Sequence, residues 1–90
     1  MTQSTHRGAL SVEEVTRWLT EKIGQRLGVP AGTVETAKYF DEFGLDSTEA
    51  LVLAGELEAW LGFELETTAL WYHPTIGDLA VYIVERQDAA

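Results

Sequence analysis

The chain has 90 residues, a hydrophobic content of 46%, no cysteine and a formal net charge of −9. A chain of this length forms one domain around one core, and its composition is that of a folded protein. The charge disfavours nucleic acids and anionic membranes as partners, because both bind lysine- and arginine-rich surfaces. The lack of cysteine excludes disulfides, thiolate metal sites and cysteine nucleophiles.

The acidic balance is compatible with basic protein partners, although from charge by itself solubility alone is the better explanation. No apolar run is long enough to span a membrane, and the N-terminus lacks the apolar stretch of a signal peptide. We therefore expect a cytoplasmic monomer. A free-standing protein and a domain of a longer one both stay open.

The first predicted helix follows a polar tail, residues 1–9, for which we expect disorder. Ser11 and Glu14 have the spacing of a capping box, and Leu10 can pack onto Val15. Apolar residues then recur at helical spacing as far as Leu27. Glycine and proline stop the helix after that residue, at positions 28 and 30.

A segment without sustained periodicity follows, from Val29 to Asp46. Such a long loop is unusual in a compact domain and signals function or local structure. We expect one short helical turn around Glu35 to Phe40. Apolar residues should anchor the segment to the bundle: Val34, Tyr39, Phe40, Phe43 and Leu45.

The second predicted helix runs to Leu61 and has Asp46 or Ser47 as its cap, with Glu49 in its first turn. Steps of 100° per residue divide it into two faces. The inward face carries Ala50, Leu53, Ala54, Leu57 and Leu61. The outward face carries Thr48, Val52, Gly55 and Ala59, with Leu51 and Glu58 at its margin.

Two further helices complete the chain. Thr67 or Thr68 can cap a short helix over Ala69 to Tyr72, which His73-Pro74 ends. Thr75 and Asp78 then form a capping pair for a last helix. Its apolar stripe is Ile76, Leu79, Ala80, Ile83 and Val84.

The sequence thus predicts an all-α fold, a small four-helix bundle of three main helices and one short helix, with a long first loop. The domain should span residues 10–87, and residues 88–90 should fray. Aromatic residues at helical spacing usually pack, so we expect packing roles for Trp18, Trp60 and Trp71.

Ser47 is conspicuous because it lies at the start of a predicted helix, between acidic residues. Serine catalysis requires a base and an oxyanion hole. The sequence offers only His6, in the tail, and His73, before a proline, so we predict no catalytic residue. The acids Asp41, Glu42, Asp46 and Glu49 lack the spacing of a calcium loop, so we predict no metal site.

The run from Phe40 to Ser47, the helix after it, and the run from Leu61 to Leu65 together resemble an acyl carrier protein. The segment Trp71-Tyr72-His73-Pro74-Thr75-Ile76 and the following Leu79-Ala80 are similar to carrier domains of polyketide synthases in particular. The resemblance covers Val12 to Val84. A bare Asp-Ser pair has no specificity, whereas this context extends over four predicted helices.

This resemblance implies that Ser47 receives 4′-phosphopantetheine from coenzyme A through a phosphopantetheinyl transferase, and that Asp46 helps the transferase to recognise the site. The thiol of the arm then holds acyl or polyketide intermediates as thioesters. The protein itself is implied to be non-catalytic. Its further partners would be an acyltransferase, a ketosynthase or an acyl-activating ligase, with other synthase enzymes. The acyl chain could enter the bundle or stay outside it.

The chain departs from many carriers of fatty-acid synthesis at Thr48, where a large apolar residue is common, and in the uncharged outward face of its second helix. These departures favour polyketide or related secondary metabolism. We expect this helix to bind partners, through Thr48, Glu49, Leu51, Val52, Gly55, Glu58 and Ala59. Two alternatives remain: a peptidyl or aminoacyl carrier loaded by an adenylating enzyme, and an acidic helical adaptor without cofactor.

Overall fold

In the computed structural model, which describes residues 10–66 and 68–89, four α-helices and two single 3-10 turns follow one another. The helices are α1 (Val12–Leu27), α2 (Ser47–Leu61), α3 (Ala69–Tyr72) and α4 (Ile76–Ala89). The expected tail, residues 1–9, lies outside the described residues. Among the residues described, no helix combines the length and the hydropathy needed to cross a bilayer.

The start of α1 is the predicted capping box. The Ser11 hydroxyl accepts the Glu14 N–H at 3.1 Å, and the Glu14 carboxylate accepts the Ser11 N–H at 2.9 Å. Gly28 ends the helix with a φ of 74°, in the left-handed region that glycine enters without steric cost. Sequence and structure therefore agree on both ends of α1.

The core forms where the apolar stripes of three helices meet. Its fully buried side chains include Leu19 of α1, Leu53 and Leu57 of α2, and Ile76 and Ile83 of α4. Burying one such side chain contributes about 1.5–3 kcal/mol relative to leaving it in water. The inward faces predicted for these helices are the ones that the fold buries.

Pairs of contacts give the directions of the helices. Trp18 stacks on Trp60, and the Lys22 ammonium lies 4.0 Å from the Glu56 carboxylate, so α1 and α2 run antiparallel. The Gln87 side-chain amide bonds both backbone groups of Leu10, at 3.1 and 2.7 Å. The end of α4 therefore lies beside the start of α1. The helix continues to Ala89, past the predicted domain end at residue 87.

The long segment between α1 and α2 differs from the prediction. Its 3-10 turns are Ala31–Thr33 and Phe40–Phe43, so the segment has more turns than the single one expected. The turn expected around Glu35 to Phe40 is present at Thr36–Ala37, where the Lys38 N–H donates to the Glu35 carbonyl at 3.5 Å. Long-range bonds hold the residues on either side of it: the Phe40 N–H donates to the Pro74 carbonyl, and the Gly77 N–H donates to the Thr36 carbonyl.

The expected anchors of this segment divide into two groups. Val34 and Phe40 are buried, and Phe43 and Leu45 pack against the core, as predicted. Tyr39 is 54% exposed, so its expected anchoring is wrong. Its backbone instead forms an isolated antiparallel bridge with Thr75, the residue that precedes α4. The segment is thus attached to the α3–α4 junction through its backbone.

The short helix α3 is held at both ends. Thr68 occupies its N-cap position, but the threonine side chain makes no capping hydrogen bond, while Thr67 lies outside the described residues. Before α3, the Glu58 carboxylate of α2 accepts the Leu65 N–H at 2.8 Å. After it, the Thr75 hydroxyl accepts the Asp78 N–H at 3.0 Å and caps α4, as predicted.

Candidate functional site

The entry into α2 is shaped by Gly44 and Leu45. Gly44 has a φ of 80°, which turns the chain out of the preceding 3-10 turn. A residue with a β-carbon at this position would be strained. Leu45 packs partly against the core and fixes the next residues at the surface. The sequence therefore places Asp46 and Ser47 at an exposed helix start, directly after a residue that is packed against the core.

Asp46, and not Ser47, is the N-cap of α2. One Asp46 carboxylate oxygen accepts the Glu49 N–H at 2.8 Å, and the Glu49 carboxylate accepts the Asp46 N–H at 3.3 Å. This capping box satisfies donors that the first helical turn otherwise leaves without a partner. The capping role is thus complete without the serine.

Ser47 is the first residue of α2, and it is exposed. Among the hydrogen bonds of the described residues, none involves its hydroxyl. The backbone N–H groups at a helix start, together with the positive end of the helix dipole, favour an anionic group there. The position therefore suits a hydroxyl that becomes esterified to a phosphate.

Among the described residues, none of the hydrogen bonds supplies Ser47 with a base. The imidazole of His73 stacks on the ring of Tyr82, with centroids 4.3 Å apart, and none of the described hydrogen bonds joins it to Ser47. His6 lies outside the described residues. Within those residues, no group of three or more histidine or acidic side chains is arranged to hold a metal ion.

The outward face of α2 is as open as the sequence predicts. Its four residues are all exposed, and Leu51 at the margin is 65% exposed. A β-carbon added at Gly55 would meet no atom within 4 Å. The fold itself therefore does not require glycine at position 55, although glycine costs a helix interior about 0.5–1 kcal/mol relative to alanine.

Two of the acids expected to face partners have contacts within the chain. Glu49 is half-buried and completes the capping box of α2, while Glu58 is half-buried and holds Leu65. The structure therefore brings together the uncharged residues of the predicted face and turns these two carboxylates towards the chain itself.

The sequence-based prediction missed an aromatic pair on α3. Trp71 is 74% exposed and Tyr72 is 75% exposed, so the packing role expected for Trp71 is wrong. The other two tryptophans do pack, with centroids 5.0 Å apart and planes at 13°. A helix of four residues with Ala69 and Leu70 as its anchors leaves its next two side chains outside. No periodicity could have indicated this.

The prediction also missed a charge segregation that is readable from the sequence. Between Lys38 and Arg86 there is no lysine or arginine, while ten residues are acidic. This stretch includes α2, α3 and most of α4. Three of the basic residues lie on α1, at positions 17, 22 and 26. Residues 39–85 therefore carry acidic side chains but no lysine or arginine.

Comparison with known proteins places these features in a family context. A family model described as the phosphopantetheine attachment site matches residues 17–83. A phenolphthiocerol/phthiocerol polyketide synthase polypeptide of Mycobacterium tuberculosis is 37% identical over 73 residues, which are 81% of this chain and 4% of that protein. The chain thus spans a small fraction of the length of this curated relative.

Solved structures of similar chains share the fold. An acyl carrier protein from Anabaena sp. PCC 7120, described as having a variant phosphopantetheinylation-site sequence, is 37% identical, with a TM-score of 0.83 over 88% of this chain and 90% of that one. A free-standing peptidyl carrier protein from Acinetobacter baumannii is 33% identical, with a TM-score of 0.77 over 84% of this chain and 95% of that one.

Proposed function

The chain belongs to the family of phosphopantetheine attachment domains, whose members bind 4′-phosphopantetheine covalently, and on that premise we propose that Ser47 is its attachment residue. The adaptor without cofactor is thereby excluded. The observation that supports the proposal is that the capping residues at the start of α2 do not include the serine. Asp46 and Glu49 form the cap, so the exposed Ser47 hydroxyl is free to be modified without loss of the helix start.

The residues around Ser47 fit a phosphodiester. The hydroxyl is exposed, and the adjacent backbone N–H groups are of the kind that stabilise phosphate. The two acids nearest to it are already engaged in the capping box. When bound, the arm supplies a thiol that carries acyl groups as thioesters. The chain supplies position and recognition, as a non-catalytic carrier.

We propose polyketide or related secondary-metabolite biosynthesis as the setting. The similarity to a polyketide synthase and the uncharged outward face of α2 both support this assignment. The partners would be a phosphopantetheinyl transferase, for which Asp46 is a recognition residue, and synthase enzymes that load or extend the acyl group. The acidic stretch between Lys38 and Arg86 suits partners with basic surfaces.

The test is intact mass after incubation with coenzyme A, magnesium and a promiscuous phosphopantetheinyl transferase. We expect the wild-type chain to gain one pantetheinyl phosphate and Ser47→Ala to gain nothing. Ser11→Ala is the matched control, because it removes the serine at the start of α1. It should be modified like the wild type. An unchanged wild-type mass would overturn the proposal.

The outward face of α2 is proposed to contact partners closely at Gly55. The support is the open space around this glycine, which leaves the fold no reason to exclude a side chain. Gly55→Leu should raise the KM of the transferase or of an acyl-loading enzyme for the carrier, whereas Gly55→Ala should raise it less. Normal acyl transfer by a stably folded Gly55→Leu variant would contradict this role.

A second candidate is a peptidyl carrier, which the 33% identity to the Acinetobacter baumannii peptidyl carrier protein favours. The two candidates differ in the enzyme that loads the holo form. An adenylating enzyme with ATP and amino acids would raise the mass by an aminoacyl group in a peptidyl carrier. An acyltransferase with malonyl coenzyme A would raise it by a malonyl group in an acyl carrier.

A further inference from the structure

The core side chains of the bundle are closed off from solvent. Leu19, Ile23, Leu57, Ile76 and Ile83 have no exposed surface. Two shallow depressions lie on the surface of the described residues, both at the C-terminal half of α1, and none of these five side chains lines either of them. If Ser47 carries the arm, as proposed above, an acyl group on that arm would have to displace core side chains to enter. Overpacking a core is destabilising.

The flank of α2 that carries Ser47 also carries the residue that binds the α2–α3 connection. At 100° per residue, Ser47, Leu51 and Glu58 lie within 40° of one another around the helix axis. Glu58 holds the Leu65 N–H, so this flank is the one next to the α2–α3 connection. The residues that lead into α3 are therefore attached to the same side of α2 from which Ser47 projects.

The other end of α3 is attached to the segment that leads into α2. The Pro74 carbonyl accepts the Phe40 N–H at 2.9 Å, and Phe40 begins the 3-10 turn that precedes Asp46 and Ser47. The chain from Leu65 to Pro74 is thus fixed to α2 at one point and to the turn before α2 at the other. Its last helical residues immediately precede this second point.

Those last residues are Trp71 and Tyr72, whose rings are three-quarters exposed. Neither ring takes part in an aromatic stack among the described residues, in contrast to Trp18 and Trp60 on the opposite flank of α2. Tryptophan and tyrosine are enriched where proteins bind other molecules, because their large apolar surface carries a polar group at one edge.

We propose that Trp71 and Tyr72 form an external resting surface for the acyl group carried on Ser47. The indole and phenol faces would shelter the apolar part of the group from water. The indole N–H and the phenol hydroxyl can donate hydrogen bonds to its oxygen atoms. An apolar acyl chain, or one with keto or hydroxyl substituents, is the ligand class that this surface fits. The proposal rests on the function proposed above.

The experiment compares two loaded forms by NMR. Coenzyme A yields the holo chain and octanoyl coenzyme A yields the octanoyl chain, through the same promiscuous transferase, with loading checked by mass. We expect the octanoyl form to shift the Trp71 indole N–H signal, assigned with Trp71→Phe, relative to the holo form. The indole signals of Trp18 and Trp60 should stay in place, and they serve as internal controls.

Nuclear Overhauser contacts identify where the octanoyl protons lie. Contacts with the Trp71 and Tyr72 rings support the proposal, and in Trp71→Ser/Tyr72→Ser they should disappear. Contacts with Leu57 or Ile83 would overturn it in favour of an internal chain. Spectra that match the holo form would overturn it too, leaving the pair as a partner-docking surface. A failed mass gain would instead contradict the attachment at Ser47.

Discussion

Two helices of this bundle begin with a capping box and a serine, yet they use the serine differently. At α1, Ser11 is the N-cap and its hydroxyl accepts the Glu14 N–H. At α2, Asp46 is the N-cap, and Ser47 is one residue further on with its hydroxyl in solvent. The difference shows that one helix start can be capped by one residue while the adjacent serine keeps an exposed hydroxyl.

The largest expected effect comes from making the second helix start resemble the first. The double variant Asp46→Ser/Ser47→Ala moves the serine to the N-cap position, where it can bond the Glu49 N–H as Ser11 bonds Glu14. We expect the variant to fold but to lose pantetheinylation completely, as measured by intact mass. The single variant Asp46→Ser, with two serines, is the control: it should still be modified at Ser47, but more slowly, because Asp46 is the proposed recognition residue of the transferase. Modification of the double variant at its new serine would contradict the distinction between the N-cap position and the position after it.

Removal of either cap should cost stability by a similar amount. Ser11→Ala and Asp46→Ala each leave a first-turn N–H without its side-chain acceptor, which typically lowers the free energy of unfolding by about 1 kcal/mol. Urea denaturation followed by circular dichroism measures both values. Asp46→Asn should lose less, because asparagine also caps. Equal stability of Asp46→Ala and the wild type would show that the cap of α2 is dispensable.

A change of opposite sign is expected within α2. Gly55→Ala removes the backbone freedom of glycine where nothing obstructs a β-carbon. The free energy of unfolding should therefore rise by about 0.5–1 kcal/mol. Gly24→Ala is the matched control, because a β-carbon there would lie 2.8 Å from the Val29 carbonyl oxygen and should destabilise the fold. A destabilising Gly55→Ala would point to a structural requirement for that glycine.

The smallest effect should be that of Ser47→Ala on stability. The Ser47 hydroxyl makes none of the capping bonds, and alanine is a good helix former. We expect a change within about 0.5 kcal/mol, in contrast to Ser11→Ala, by the same urea titration. A loss as large as that of Ser11→Ala would mean that Ser47 stabilises its helix after all.

The helix ends were predictable because their chemistry is local. The fold uses helix boundaries that short motifs mark in the sequence: Ser11 with Glu14, Gly28, Gly62, and Thr75 with Asp78. The choice between Asp46 and Ser47 as cap stayed open because both residue types cap well. The spacing contains the answer: the third residue after Asp46 is Glu49, whereas the third after Ser47 is Ala50.

The structural features that the sequence did not predict depend on contacts between residues that are far apart in the chain. The attachment of the long loop depends on backbone bonds to Pro74 and Gly77, which no local pattern contains. The exposure of Tyr39 and Trp71 likewise depends on which neighbours anchor their segments. For the site, the position of Ser47 was predictable from the family resemblance and the helix pattern. The free hydroxyl beside an occupied cap was not, because it depends on side-chain geometry.

The bonds between Gln87 and Leu10 have a mechanical consequence. They join the two ends of the bundle at one pole. Because α1 and α2 run antiparallel, Ser47 lies at the other pole, and α2 alone gives a separation of about 20 Å. The end of the molecule that holds Leu10 and Gln87 is therefore opposite the end that holds Ser47. A tag or a solid support attached beside Leu10 or Gln87 would lie far from Ser47 and leave the start of α2 accessible.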